Sequence, residues 1–217
     1  MCMTFTCVLS GENATLSDMK TGAQSIMSRR SFDGLISRRQ RGKLSTGARI
    51  AGGMYSHFGL TALLEELGAD PKDTPIVIYN RYANWDYVAD SMCKDQRMTL
   101  DGVNNYVATA WFPATVQGYL TIVNGNKGEA ITIASKDRGL RAAAADSLFK
   151  RDASGARRGV VLVGTFEAIP AKIGPISVDR ALSCAFGAFS LVTAESTEEQ
   201  IETALDAHQE LYSHVAI

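Results

Sequence analysis

The sequence has four cysteines, Cys2, Cys7, Cys93 and Cys184, and no two of them stand as CxxC. Without paired spacing they make no zinc ligand set, and a chain of 217 residues does not need them as staples, so free thiols in a reducing cytoplasm are expected. The three histidines, His57, His208 and His214, are dispersed, and no metal site is expected. No apolar run approaches the roughly 20 residues that span a bilayer. The N-terminal apolar stretch to Leu9 has no basic segment ahead of it, so it does not read as a secretory signal. Charge of one sign is missing too: 22 basic against 23 acidic side chains give a net charge of -1 and no global attraction to nucleic acid or an anionic membrane. A cofactor motif is also lacking, because Asn124-Gly125-Asn126-Lys127-Gly128 is a turn without the spacing of a phosphate loop.

What is present is ordinary globular composition: 46% hydrophobic and 21% charged residues exclude disorder and allow a single domain over 1–217. Residues 4–9 alternate weakly and suit a strand, whereas residues 10–43 are polar and rich in Gly, Ser and Arg and should wrap the surface. From Leu44 the residues Ala48, Ala51, Met54, Phe58 and Ala62 recur at helical spacing, with Gly52 and Gly53 weakening the helix locally. Continuous apolar runs at Ile76–Tyr79, Ala130–Ala134, Gly159–Gly164 and residues 188–194 mark strands buried on both faces. Helices are expected over residues 104–123, over the alanine-rich stretch from Gly139 to Lys150, and at the C-terminus after a capping box at Thr197/Gln200 or Ser196/Glu199. Alternation of helices with buried strands reads as an α/β layered domain.

Four segments, in order, go further. They are residues 38–79, running from Arg38-Arg39 through the long helix to Ile76-Val77-Ile78; residues 114–139, ATVQGYLTIVNGNKGEAITIASKDRG; residues 159–168, GVVLVGTFEA; and residues 183–195, SCAFGAFSLVTAE. Together they resemble the N-terminal half of β-ketoacyl-acyl carrier protein synthases, which have the thiolase fold. In that family a strand ends at a nucleophilic cysteine, an alanine-rich helix follows, and a later strand ends in a "TEA" element, matched here by Thr165-Phe166-Glu167-Ala168 with Phe166 inserted. The resemblance implies an α/β, thiolase-like half: a mostly parallel five-stranded sheet with packed helices.

The resemblance also implies what chemistry to look for. A condensing enzyme needs a thiolate at a helix N-terminus, where backbone N–H groups favour the anion, and histidines that hold the developing enolate oxygen. Aligned on Gly139, the cysteine position holds Lys136, between Ser135 and Asp137, and no cysteine lies between Cys93 and Cys184. The histidine-bearing second half is not matched, since His208 and His214 fall on the last helix. Ketoacyl synthesis by this chain alone is therefore not expected. Ser135, Lys136 and Asp137 remain candidates for acyl transfer or thioester hydrolysis; the plain reading is a structural hydroxyl, a solvated lysine and a capping aspartate. Cys184 reads as an inert buried thiol and His208 as a packed or partner-facing imidazole.

By the same resemblance the expected role is a chain-length-factor-like auxiliary subunit of fatty-acid or polyketide assembly. It would dimerise, with a ketosynthase or with itself, through strand 130–135. Acyl-tunnel or interface residues would be Trp111, Phe112, Val116 and Tyr119 on a helix from Ala108 to Leu120, together with Ile131 and Ile133. The basic run Arg29, Arg30, Arg38, Arg39, Arg41 and Lys43 reads either as solvated surface or as a dock for an acyl carrier protein or its phosphopantetheine phosphate. A homodimer that binds acyl or carrier groups without chemistry is the third reading. Neither nucleic acid nor membrane is an expected partner, and no cofactor is expected.

Overall fold

The computed structural model of the chain describes residues 2–38, 44–94, 97–98, 105, 107, 112–135, 137–169 and 185–214. Strand β1 (Cys2–Ser10) turns at Gly11 into β2 (Asn13–Asp18), which returns as β3 (Gln24–Ser28). Links this short join only antiparallel strands, and the registers agree: Cys7 faces Leu16, and Leu16 faces Ser25. The segment expected to wrap the surface thus holds two strands and a short helix, α1 (Arg29–Gly34). Its polarity misleads because only one side of β2 is fully buried, at Ala14 and Leu16, while Asn13 is exposed and Thr15 and Ser17 are partly so.

Ser45 caps α2 (Thr46–His57), accepting from the Ala48 N–H, and α3 (Leu60–Glu66) follows. The single helix expected through Ala62 is broken at Gly59, which takes a left-handed φ of +60°. Next come β4 (Ile76–Tyr79), α4 (Trp85–Met92) and a two-residue hairpin, β5 (Cys93–Lys94) with β6 (Arg97–Met98). Helix α5 (Thr115–Asn124) starts later than expected, after a turn at Pro113-Ala114, and ends at Gly125. Strand β7 (Ala130–Ile133) is shorter than the expected 130–135. Helix α6 (Arg138–Ser147), a small hairpin of β8 (Lys150–Arg151) and β9 (Arg157–Arg158), and the long strands β10 (Val160–Ala168) and β11 (Ala185–Thr193) complete the middle of the chain. Helix α7 (Glu198–Glu210) closes it, with the capping box on Thr197 and Gln200, and runs into a 3-10 turn at Leu211–His214.

The main sheet has seven strands in the order β3-β2-β1-β11-β10-β4-β7. Only β10–β4 and β4–β7 are parallel; β3–β2, β2–β1, β1–β11 and β11–β10 are antiparallel. The expectation of a mostly parallel five-stranded sheet is therefore corrected to a mixed one. Buried apolar runs report burial on two faces, not strand direction, and the N-terminal meander adds strands that the runs do not reveal.

Side chains alternate across the sheet. Ile76, Ile78, Leu162, Phe166 and Phe189 face α2, α3 and α5, whereas Val77, Tyr79, Val161, Val163 and Val192 face α6 and α7. Helices of this same chain thus cover both faces in three layers. Helix α2 lies close to its neighbours because it carries glycines: a methyl at Gly53 would enter the Phe32 ring, and one at Gly52 the Tyr119 ring. Among the described residues no helix is long and apolar enough to cross a membrane.

Candidate functional site

The parallel strands β10, β4 and β7 end on one side of the molecule, where ligands bind in open α/β sheets. The loop after β4 lies there. Glu167, fully buried near the end of β10, accepts the backbone N–H groups of Arg81, Tyr82 (2.9 Å) and Ala83 and the Tyr212 hydroxyl. Burial pushes the Glu167 carboxyl up, and these four donors pull it back. The matched "TEA" glutamate is therefore a clamp on the loop. Asn80 adds to it, accepting from the Phe166 N–H at 2.9 Å and donating to the Pro113 carbonyl at 3.3 Å. Ala83 holds a positive φ of 50°, a conformation costly for a residue with a Cβ, and its carbonyl accepts from the Ala168 N–H at 2.8 Å.

The link from β7 into α6 lies beside that loop, since β7 pairs with β4. Asp137 is the N-cap of α6, accepting from the Leu140 N–H at 2.7 Å, and the Ser135 hydroxyl accepts from the Asp137 N–H at 3.0 Å. Both side chains thus make the local bonds of a strand-to-helix turn, at the place where the resemblance puts a nucleophile. Lys136 lies outside the described residues. Among the described residues no histidine side chain serves Ser135 as a base. His57 contacts Ser25 at 3.3 Å, on β3 at the other end of the sheet. His208 is buried between Thr165 (3.1 Å, Nδ1) and Ser190 (2.9 Å, Nε2), and Ser190 also meets Thr4 at 2.8 Å. Burial, reinforced by the Arg141 charge, pushes His208 down to about 3, so it is a neutral, packed imidazole.

Sequence reasoning missed the two arginines beside this turn. Arg141, in the first turns of α6, is only 5% exposed. Its Nη1 donates to Gln209 Oε1 at 3.3 Å, and Arg81 Nη2 donates to the same oxygen. The Arg81 guanidinium also lies 4.2 Å from the centre of the Tyr212 ring. A signal was there to read: Arg141 falls on the helical stripe of Ala145 and Leu148, where an apolar residue belongs.

The remaining candidates do not gather in one place. Val116 is buried and Tyr119 partly buried against α2, whereas Ile131 and Ile133 pack with the α6 and α7 layer across the sheet. Phe112 precedes α5 and is 66% exposed; Trp111 lies outside the described residues. Arg29, Arg30 and Arg38 follow β3, with Arg29 half-buried and the other two exposed. Arg39, Arg41, Lys43 and Cys184 lie outside the described residues. The one acid in that run, Asp33, pairs with Arg49 on α2. Strands β3 and β7 are opposite ends of the sheet, about 29 Å apart at about 4.8 Å per strand step. Among the described residues no three His, Cys, Asp or Glu side chains gather to hold a metal ion.

No family model matches the chain, and no curated protein matches it. Among solved structures it is similar to a chain of the AntDE:AntF complex, a type II PKS acyl-carrier protein with its ketosynthase bound to the hexaketide. The TM-score is 0.51 at 20% identity, covering 74% of this chain and 49% of that one. A second likeness is to a ketosynthase (ApeO) in complex with its chain length factor (ApeC) from Xenorhabdus doucetiae, with TM-score 0.46, 14% identity and 87% and 76% coverage. The first likeness shows a ketosynthase-like α/β fold, and the chain spans about half the length of that solved chain.

Proposed function

We propose that this protein is a non-condensing, ketosynthase-like subunit of fatty-acid or polyketide assembly, which pairs with an active ketosynthase along strand β7. One observation carries the reading: within this fold, the strand that leads to the nucleophile position ends the sheet, and the turn after it reads Ser135-Lys136-Asp137 without a cysteine. Ile76 and Asn80 on the β4 side donate to the carbonyls of Glu129 and Ile133, so the alternate residues Ala130 and Thr132 turn their backbone groups away from β4, where no strand among the described residues pairs with them. Such an edge is a template for another strand. The helices before and after it carry exposed apolar side chains, Ile122 (82%) on α5 and Leu140 (52%) on α6, which suit a covered surface. Because helices of this chain already cover both sheet faces, a partner is assigned to the edge.

Incubation with an acyl-carrier thioester, read by intact-mass spectrometry, tests the non-condensing part. No acyl adduct on the chain is expected. An adduct that disappears in Ser135→Ala would instead establish acyl transfer or hydrolysis at this turn.

A further inference from the structure

The structure assigns an oxyanion-binding site to Arg81, Arg141 and Gln209, where the loop after β4 meets the start of α6 and the end of α7. The site takes a carboxylate or phosphate group, and the inference stands independently of the pairing proposed above.

Charge balance is the first argument. Arg141 is 5% exposed, and its Nε has no acceptor among the described residues. Guanidinium groups stay protonated at any physiological pH. A buried cation is ordinarily paired with an acid, yet among the described residues no carboxylate pairs with either Arg81 or Arg141. The nearby Glu167 is committed to three backbone N–H groups and the Tyr212 hydroxyl.

Convergence is the second. Both guanidiniums donate to one neutral oxygen, Gln209 Oε1, so their donor nitrogens lie within two hydrogen-bond lengths of each other. Two like charges held this close, one of them buried, repel unless an anion lies between them. A carboxylate or phosphate supplies that charge along with several acceptor oxygens, and guanidinium forks match both groups. Three contacts hold the donors in place: the Glu167 clamp fixes the Arg81 backbone, the Tyr212 ring supports its guanidinium, and the Arg141 carbonyl accepts the Tyr79 hydroxyl.

The site lies on the side where the parallel strands end, and Arg141 stands one helical turn after the Asp137 cap, its N–H donating to the Asp137 carbonyl at 3.2 Å.

The test is thermal unfolding of the full chain, titrated with sodium phosphate or sodium acetate against sodium chloride at constant ionic strength. A saturable rise in Tm is expected with at least one of the two oxyanions, and the one that saturates identifies phosphate or carboxylate as the group held. Arg81→Gln, at a partly exposed position, should weaken the apparent affinity about tenfold to a hundredfold. Gln209→Glu builds the missing carboxylate into the site, so it should raise Tm in chloride alone and abolish the response. A Tm that rises without saturation and equally in wild type and Arg81→Gln would overturn the assignment, as would a Gln209→Glu protein less stable than wild type in chloride.

Discussion

His208 carries a clear pH signature. Burial holds it down to about 3, while in the unfolded chain it titrates near its ordinary value of about 6.5. Between those two values the unfolded chain binds a proton that the folded chain does not, so stability falls as pH drops through that window. The loss from this residue is on the order of 4–5 kcal/mol by the bottom of the window. His208→Gln keeps polar atoms for Thr165 and Ser190 and removes the titration. Urea unfolding at about pH 7 and about pH 4.5 should show a flatter pH dependence in the variant; equal slopes would mean that the imidazole takes up its proton as readily in the folded chain as in the unfolded one. Glu167 has the opposite sign. Its raised carboxyl binds a proton more tightly folded than unfolded, so its contribution falls as pH rises above the ordinary carboxylate range. Glu167→Gln should remove that trend yet cost about 2–3 kcal/mol at neutral pH, because an amide cannot accept from all the donors on the loop.

Among the elements, α2 and β7 make opposing demands on small residues and on edges. Helix propensity alone says that Gly53→Ala stabilises α2 by about 1 kcal/mol. Packing says otherwise, since the added methyl enters the Phe32 ring, and overpacking costs about 1–3 kcal/mol. A lowered Tm is therefore expected; a raised one would mean that α1 and Phe32 pack less tightly than described. This case also shows what a one-dimensional pattern omits. Apolar spacing reveals α2, β4, β10 and α7, because each buries a stripe or both faces; it also reveals β7, although that strand lies at the end of the sheet with its four residues only partly buried. It cannot show that Gly52 and Gly53 are contact surfaces, because Tyr119 and Phe32, which fill them, are distant in the chain. Nor does it show the Glu167 clamp, whose acceptors and donors are brought together by the parallel pairing of β10 with β4. Asp137 is the legible exception: an aspartate just before an alanine-rich helix reads as a cap, and it is one. Asp137→Ala should cost about 1 kcal/mol of stability.

At the level of the whole molecule, the layered α/β class is readable from sequence and the mixed order of its sheet is not, because local pattern encodes burial and not direction. The resemblance to ketosynthases rests on segments of the right order, and the fold agrees with it at 20% identity over about half of the solved chain. The molecule separates two surfaces. The arginines after β3 lie at one end of the sheet, and the open strand β7, with the Ser135–Asp137 turn after it, lies at the other. A carrier protein docked on those arginines would leave β7 free for a partner. Pairing along β7 makes one prediction that separates it from every other surface. Thr132→Pro removes an outward backbone N–H without touching the bonds to β4, so it should block strand addition and spare the fold. The direct measurement is affinity isolation of the tagged full chain from its native cell, wild type and Thr132→Pro side by side, with co-isolated proteins quantified by mass spectrometry. Stoichiometric recovery of a cysteine-bearing ketosynthase with the wild type, lost in a Thr132→Pro protein of unchanged circular dichroism, is the predicted result. Recovery of the chain alone, or of the same partner with both proteins, would contradict pairing through this edge.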